Sequence, residues 1–244
     1  MKKVFFWLRQ YTIPLTGILL LIFVLSACKK TLDTVNQQPV AGLMAFNLVP
    51  DKAAIGVTIS GNNLTNFPLL YTNYTGGYQP VYIGNRDVAS YEFNTGTSLA
   101  SASHLFEDSS YYSVFVVGAN GSYKNLIVKD KLDSLSSSTG EAIVRYVNAI
   151  ADSTLQPLVR VSANGSDIFN SNAPFATVSD FKGIAPGDIS VNVNNETVIN
   201  SSRTLTLEKG KIYTILLVGI PQQSDTAKAV QIKFIQNGAV STNP

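Results

Sequence analysis

Ile212-Tyr213-Thr214-Ile215-Leu216-Leu217-Val218-Gly219 is the stretch on which the fold turns. Tyr213 to Val218 is apolar whichever way it is faced. In a segment this short, that pattern reads as a strand in the middle of a sheet, covered on both sides. An earlier segment, Tyr111-Tyr112-Ser113-Val114-Phe115-Val116-Val117-Gly118, repeats its order at a spacing of 101 residues (212 − 111). Asn47-Leu48-Val49-Pro50-Asp51 and Asn148-Ala149-Ile150-Ala151-Asp152 stand at the same spacing. Val57 to Asn62 and Val159 to Asn164 are spaced by 102 (159 − 57). Three blocks in one order at one period mark a tandem duplication.

Each copy reads as all-β. In the second, strands are predicted over Ala142 to Ala149, Leu158 to Ser162, Phe175 to Phe181, Asp188 to Val193, Thr197 to Leu207, Ile212 to Gly219 and Gln231 to Ile235. The punctuation is turn chemistry: Asn164-Gly165, Pro186-Gly187, Asn194-Asn195, and a predicted hairpin turn at Glu208-Lys209-Gly210-Lys211. Ile189, Val191 and Val193 alternate with polar residues, as in a strand with one buried face. Leu126 to Leu135 suits either a short helix or an edge strand. About seven short strands per copy, regularly spaced, predict two tandem Greek-key (immunoglobulin-like) β-sandwich domains, over 41–130 and 141–240, with a Ser-rich linker at 131–140.

The N-terminus reads differently. Lys2, Lys3 and Arg9 precede an apolar run from Ile13 to Leu25, which is shorter than the roughly 20 residues a stable membrane helix needs. Leu25-Ser26-Ala27-Cys28 follows. This order is that of a secretory signal, and its last four residues resemble the bacterial lipobox. The resemblance implies a signal peptide over 1–27 and a lipidated Cys28, with residues 28–40 as a polar tether. Several acyl chains anchor lastingly where one does not. Cys28 is the only cysteine, so a disulfide within the chain is excluded. Lys29 follows it, where an Asp would favour inner-membrane retention in some bacteria. The expected location is therefore the outer membrane of the cell envelope, at the cell surface or on the periplasmic face.

Removal of residues 1–27 leaves 217 residues (244 − 27) and takes away three positive charges and the only Trp. The remainder carries 15 Lys and Arg against 16 Asp and Glu. Without clustered cationic side chains, nucleic acid is not an expected partner. The expected partners are the membrane, through the lipid, and a glycan or an envelope protein.

The blocks quoted above resemble the family of domains of unknown function DUF4397. Its opening is clearest in Pro50-Asp51-Lys52-Ala53-Ala54-Ile55-Gly56-Val57-Thr58-Ile59-Ser60-Gly61. Its end is clearest in Leu205-Thr206-Leu207-Glu208-Lys209-Gly210-Lys211-Ile212-Tyr213-Thr214, followed by Gly219. The first copy has Ser109 where the family has the Gly of its last turn, and the second has no Pro beside Asp152. These are turn and core residues. The resemblance implies a β-sandwich and carries over no catalytic residue.

Enzyme chemistry finds little to use, so a non-enzymatic module without cofactor or metal is expected. His104 is the only histidine and aligns with Leu205 in a strand. One His and one lipidated Cys cannot make a zinc site. Asp51, Asp87, Glu107 and Asp108 lack the spacing of a calcium loop. Glu107-Asp108 aligns with Glu208-Lys209 and reads as a pair of hairpin-tip charges. The candidate ligand-binding residues are aromatic: Tyr71, Tyr74, Tyr78 and Tyr82, among Asn, Thr and Gly. A tyrosine offers flat area and a hydroxyl to a sugar or a protein. Separately, Asp33-Thr34-Val35, Asp133-Ser134-Leu135, Asp152-Ser153-Thr154 and Asp225-Thr226-Ala227 resemble the short O-glycosylation motif of some Gram-negative bacteria.

Overall fold

The computed structural model describes residues 38–132, 135, 140–195 and 198–240. Cys28, the signal segment and most of the tether lie outside the described residues, as does most of the linker. Residues 39–240 fall in one compact unit.

The first copy has nine strands: β1 (Val40–Leu48), β2 (Ala54–Ile59), β3 (Asn62–Asn63), β4 (Leu69–Leu70), β5 (Gln79–Tyr82), β6 (Gly84–Glu92), β7 (Ser98–Phe106), β8 (Tyr111–Ala119) and β9 (Ser122–Asp130). The second has eight: β10 (Ala142–Ile150), β11 (Leu158–Ala163), β12 (Ser166–Asn172), β13 (Lys182–Ile184), β14 (Gly187–Asn194), β15 (Asn200–Leu207), β16 (Lys211–Gly219) and β17 (Gln231–Ala239). The sheets of the first copy run β5-β1-β8-β9 and β3-β2-β6-β7, with β4 also on β2. Those of the second run β13-β10-β16-β17 and β12-β11-β14-β15, the same topology, with β12 on β11 standing where both β3 and β4 stand on β2. In both, the first strand pairs parallel with the penultimate one: β1 with β8, β10 with β16. The chain crosses repeatedly between sheets, so each copy is a Greek-key sandwich.

β16 is buried on both faces, and the reason is specific. Tyr213, Ile215 and Leu217 enter the core of their own sandwich. Leu216 and Val218, on the other face, join a separate core with Met44, Phe46, Leu48, Phe115, Val117, Val147 and Ala149. The outer faces of β1 and β8 therefore pack on those of β10 and β16. The near-continuous apolar text of these four strands follows from having a sandwich interior on one side and the other copy on the next.

Three pairs of equivalent residues show how deeply the duplication runs. The Asn47 side chain donates to Leu69 O at 2.9 Å and accepts from Val49 N at 3.0 Å. Asn148 donates to Ala173 O at 2.8 Å and accepts from Ile150 N at 3.1 Å. Tyr112 OH accepts from Glu107 N at 3.1 Å, and Tyr213 OH from Glu208 N at 3.0 Å. Gly118 and Gly219, near the ends of β8 and β16, stand at φ 116° and 112°, where a Cβ would lie 2.0 Å from Ser122 O and 2.2 Å from Ala229 O respectively. Only glycine fits there.

Several sequence expectations need correction. Residues 208–211 form no hairpin: β15 and β16 lie in different sheets, and so do β7 and β8 around Glu107-Asp108. The turn residues suit a reversal of either kind, and sheet membership is set by long-range pairing. Phe175 to Phe181 is not a strand. Ala176 stands at φ 71°, only Val178 bridges to Val147, and β13 begins at Lys182. The strand expected from Thr197 begins at Asn200. Asn164-Gly165 does make a hairpin, between β11 and β12, with φ of 51° and 79°. Leu126 belongs to the edge strand β9, which ends at Asp130.

Candidate functional site

The four candidate tyrosines do not form one surface. Tyr71, Tyr74 and Tyr78 pack against the core between the copies. Tyr74 stacks on Phe46 with centroids 5.6 Å apart, and its hydroxyl reaches Gln236 O of the second copy at 3.4 Å. Tyr78 donates to Asp130 Oδ2 at 2.6 Å and meets the Tyr111 ring edge-on at 4.8 Å. Burial, followed by the Asp130 charge, pushes its phenol up from the ordinary value. The Tyr71 hydroxyl is buried without a partner among the described residues, and burial alone raises its pKa. Tyr82, on β5, is 59% exposed.

The Tyr78 contact leads to a charged cluster inside the seam. Arg145 on β10 and Asp130 at the end of β9 are both buried, and they form an ion pair between the copies. Arg145 Nη2 donates to Ser113 Oγ at 2.8 Å, and its Nε donates to Thr214 Oγ1 at 3.0 Å. Ser113 in turn donates to Asp130 Oδ2 at 2.6 Å. The guanidinium lies 4.3 Å from the centroid of Phe181 and 5.2 Å from that of Phe115. Thr214 donates to Asn237, whose amide contacts Met44 Sδ at 3.8 Å. Arg145 and Met44 are equivalent positions in the repeat, and Asn237 lies at the end of β17 that matches Asp130 on β9. Contacts thus run reciprocally, first strand of each copy to last strand of the other, as across a two-fold axis. One of the two reciprocal contacts is ionic.

Sequence reasoning missed this pair. The signal was present: Arg145 is the only charge in Ala142–Ile150, a strand otherwise made of apolar residues, Tyr146 and Asn148. An arginine there must be satisfied inside the protein, because an unpaired buried charge is strongly unfavourable.

The acidic residues weighed for calcium stay apart. Asp51 Oδ2 accepts from Asn120 N at 2.8 Å and Tyr123 OH at 2.7 Å. Asp87 bonds Ser103, and Glu107 pairs with Lys129. Among the described residues no three His, Cys, Asp or Glu side chains converge as metal ligands would. His104 lies on β7, edge-on to Phe106 and Tyr112 at 5.2 and 5.1 Å. Its partial burial draws its pKa down, against the opposing charge of Glu107.

No curated protein matches the chain. Among solved structures, it is similar to a candidate cell adhesion protein from Bacteroides eggerthii (8% identity, 83% of this chain and 96% of that one, TM-score 0.25). It is similar to the CBM26-family module from Eubacterium rectale Amy13K in complex with maltoheptaose (9%, 80% and 96%, 0.24). A candidate cell adhesion protein from Bacteroides ovatus is a third (10%, 83% and 99%, 0.25). Likenesses this faint carry no argument about function. The family model for a domain of unknown function, DUF4397, matches twice, over residues 41–154 and 142–241. These matches span both sandwiches and the seam between them, and the chain belongs to the DUF4397 family.

Proposed function

We propose that this is a lipid-anchored protein of the cell envelope whose two sandwiches act together as a non-enzymatic binding or structural module. The observation that carries this reading is the seam. A continuous apolar core and a buried ion pair join the copies, so what the tether holds at the membrane is one body rather than two independent beads. Anchoring through Cys28 at the outer membrane supplies the location. The test is radiolabelled palmitate incorporation by the wild type and by Cys28→Ala, followed by protease treatment of intact cells carrying a tag in the second copy. Labelling lost in the variant and membrane fractionation of the wild type are expected. An unlabelled wild-type chain would sink the anchor.

The second reading is carbohydrate binding by the Tyr71–Tyr82 loop. It is favoured by a shallow cleft at the mouth of the seam, lined by Tyr78, Tyr111, Leu132 and Ile212, with Tyr111 40% exposed. Glycan-array binding that is lost in Tyr111→Ala and Tyr82→Ala, in a chain that still folds, would replace the first reading with this one.

A further inference from the structure

Two of the four Asp-Ser/Thr triplets fall among the described residues, and they share one local geometry. In Asp152-Ser153-Thr154 the Asp carboxylate accepts from Thr154 N at 2.8 Å. In Asp225-Thr226-Ala227 it accepts from Ala227 N at 3.0 Å. A carboxylate holding the amide two residues on makes a tight turn with the middle residue at its apex. Ser153 and Thr226 are both exposed there, and neither side-chain hydroxyl makes a hydrogen bond among the described residues. Both triplets also stand at the same end of one sheet. Ser153 follows β10 and Thr226 follows β16, and these strands are parallel neighbours whose ends are tied by Ala151 N to Gly219 O at 2.8 Å.

We infer that Ser153 and Thr226 are O-glycosylation acceptors, placed together at one end of the second sandwich. The sugar donor is a lipid-diphosphate-linked glycan, and a separate transferase performs the reaction. The hydroxyl oxygen bonds to the anomeric carbon as the sugar–phosphate bond breaks. The electron pair of that bond leaves on the lipid diphosphate, and the hydroxyl proton passes to a base of the transferase. The turn presents the hydroxyl on an apex that an enzyme can enclose, with the acidic side chain held at a fixed offset beside it.

The chain contains its own control. Asp108-Ser109-Ser110 has the same first two residues, but Ser110 N donates to Glu107 O, and the Ser110 hydroxyl turns back to the Asp108 carbonyl. Ser109 is expected to stay bare. The experiment is peptide mapping with electron-transfer fragmentation on the full chain purified from its native host. It compares the wild type with Ser153→Ala, Thr226→Val and Asp152→Ala. Sugar mass on residues 153 and 226 is expected in the wild type. Ser153→Ala and Asp152→Ala should each lose the first modification only, and Thr226→Val the second only. Unmodified peptides at both positions would overturn the inference, as would sugar on Ser109 at comparable occupancy.

Discussion

Asp51 and Asp152 occupy one position in the repeat and do opposite things. Asp51 turns inward and clamps the hairpin after β8, through Asn120 N and Tyr123 OH. That hairpin is two residues long, with Asn120 and Gly121 at φ 54° and 86°. In the second copy the β16–β17 connection is a long loop over Ile220 to Val230, and among the described residues no amide of that loop meets Asp152, which folds its own loop instead. The seam shows the same division, with Met44 in one copy and Arg145 in the other. Positions that build the sandwich, Asn47 and Asn148 or Tyr112 and Tyr213, stay matched down to their hydrogen bonds. Among the positions that face the other copy or the solvent, some have diverged, as Met44 and Arg145 or Asp51 and Asp152 have. Duplication fixed the scaffold twice and left its outward positions free to specialise.

The largest effect should come from undoing the divergence in the seam. Arg145→Met gives the second copy the residue the first carries, but leaves Asp130 charged and buried without its partner. Removing one member of a buried pair costs about 3–5 kcal/mol. Urea unfolding should show a loss of that size, and the double variant Arg145→Met with Asp130→Asn should recover most of it. A single variant as stable as the wild type would mean the pair does not set the seam.

Matched positions should respond alike. Asn47→Ala and Asn148→Ala each orphan a buried backbone N–H and a buried carbonyl, at about 2–3 kcal/mol each. The two losses should agree to within about 0.5 kcal/mol. Tyr112→Phe and Tyr213→Phe should cost about 1 kcal/mol each, because water can take over the amides of Glu107 and Glu208 at the exposed turns. Unequal losses within either pair would show that the copies have drifted in their cores as well as at their surfaces.

How much of this was legible in the sequence depends on which contact a residue serves. The repeat, the strands and the turns follow from local pattern, and β16 was readable as central because both its faces are apolar. The partner of its outer face was not readable, since an apolar face looks the same whether it meets a second sheet or another domain. The hairpin expected at 208–211 failed for a related reason: Gly210 supplies the φ for a reversal without saying which sheet the chain enters next. Three of the four tyrosines that read as a candidate ligand surface pack against the seam. A loop rich in Tyr, Asn and Gly has the same composition whether it contacts a sugar or another part of its own chain.

The smallest expected effect concerns that loop and reverses the usual sign. Tyr78 and Tyr71 are both half-buried against the seam, yet among the described residues only Tyr78 has a partner for its hydroxyl, so Tyr78→Phe should destabilise. Tyr71→Phe removes a desolvated hydroxyl that returns no hydrogen bond, and should stabilise by about 0.5–1 kcal/mol at neutral pH. The same burial gives a pH signature. The folded-state pKa of Tyr71 lies above its unfolded value of about 10, so the folded protein holds the phenol neutral where the unfolded chain begins to ionise. That contribution is fully present below about pH 10 and is lost as pH rises through the folded value. Tyr71→Phe should therefore widen its advantage over the wild type above pH 10, in urea midpoints taken at pH 8 and pH 11. A variant less stable than the wild type at pH 8 would mean that the Tyr71 hydroxyl has a partner after all, an ordered water in the seam being the simplest one.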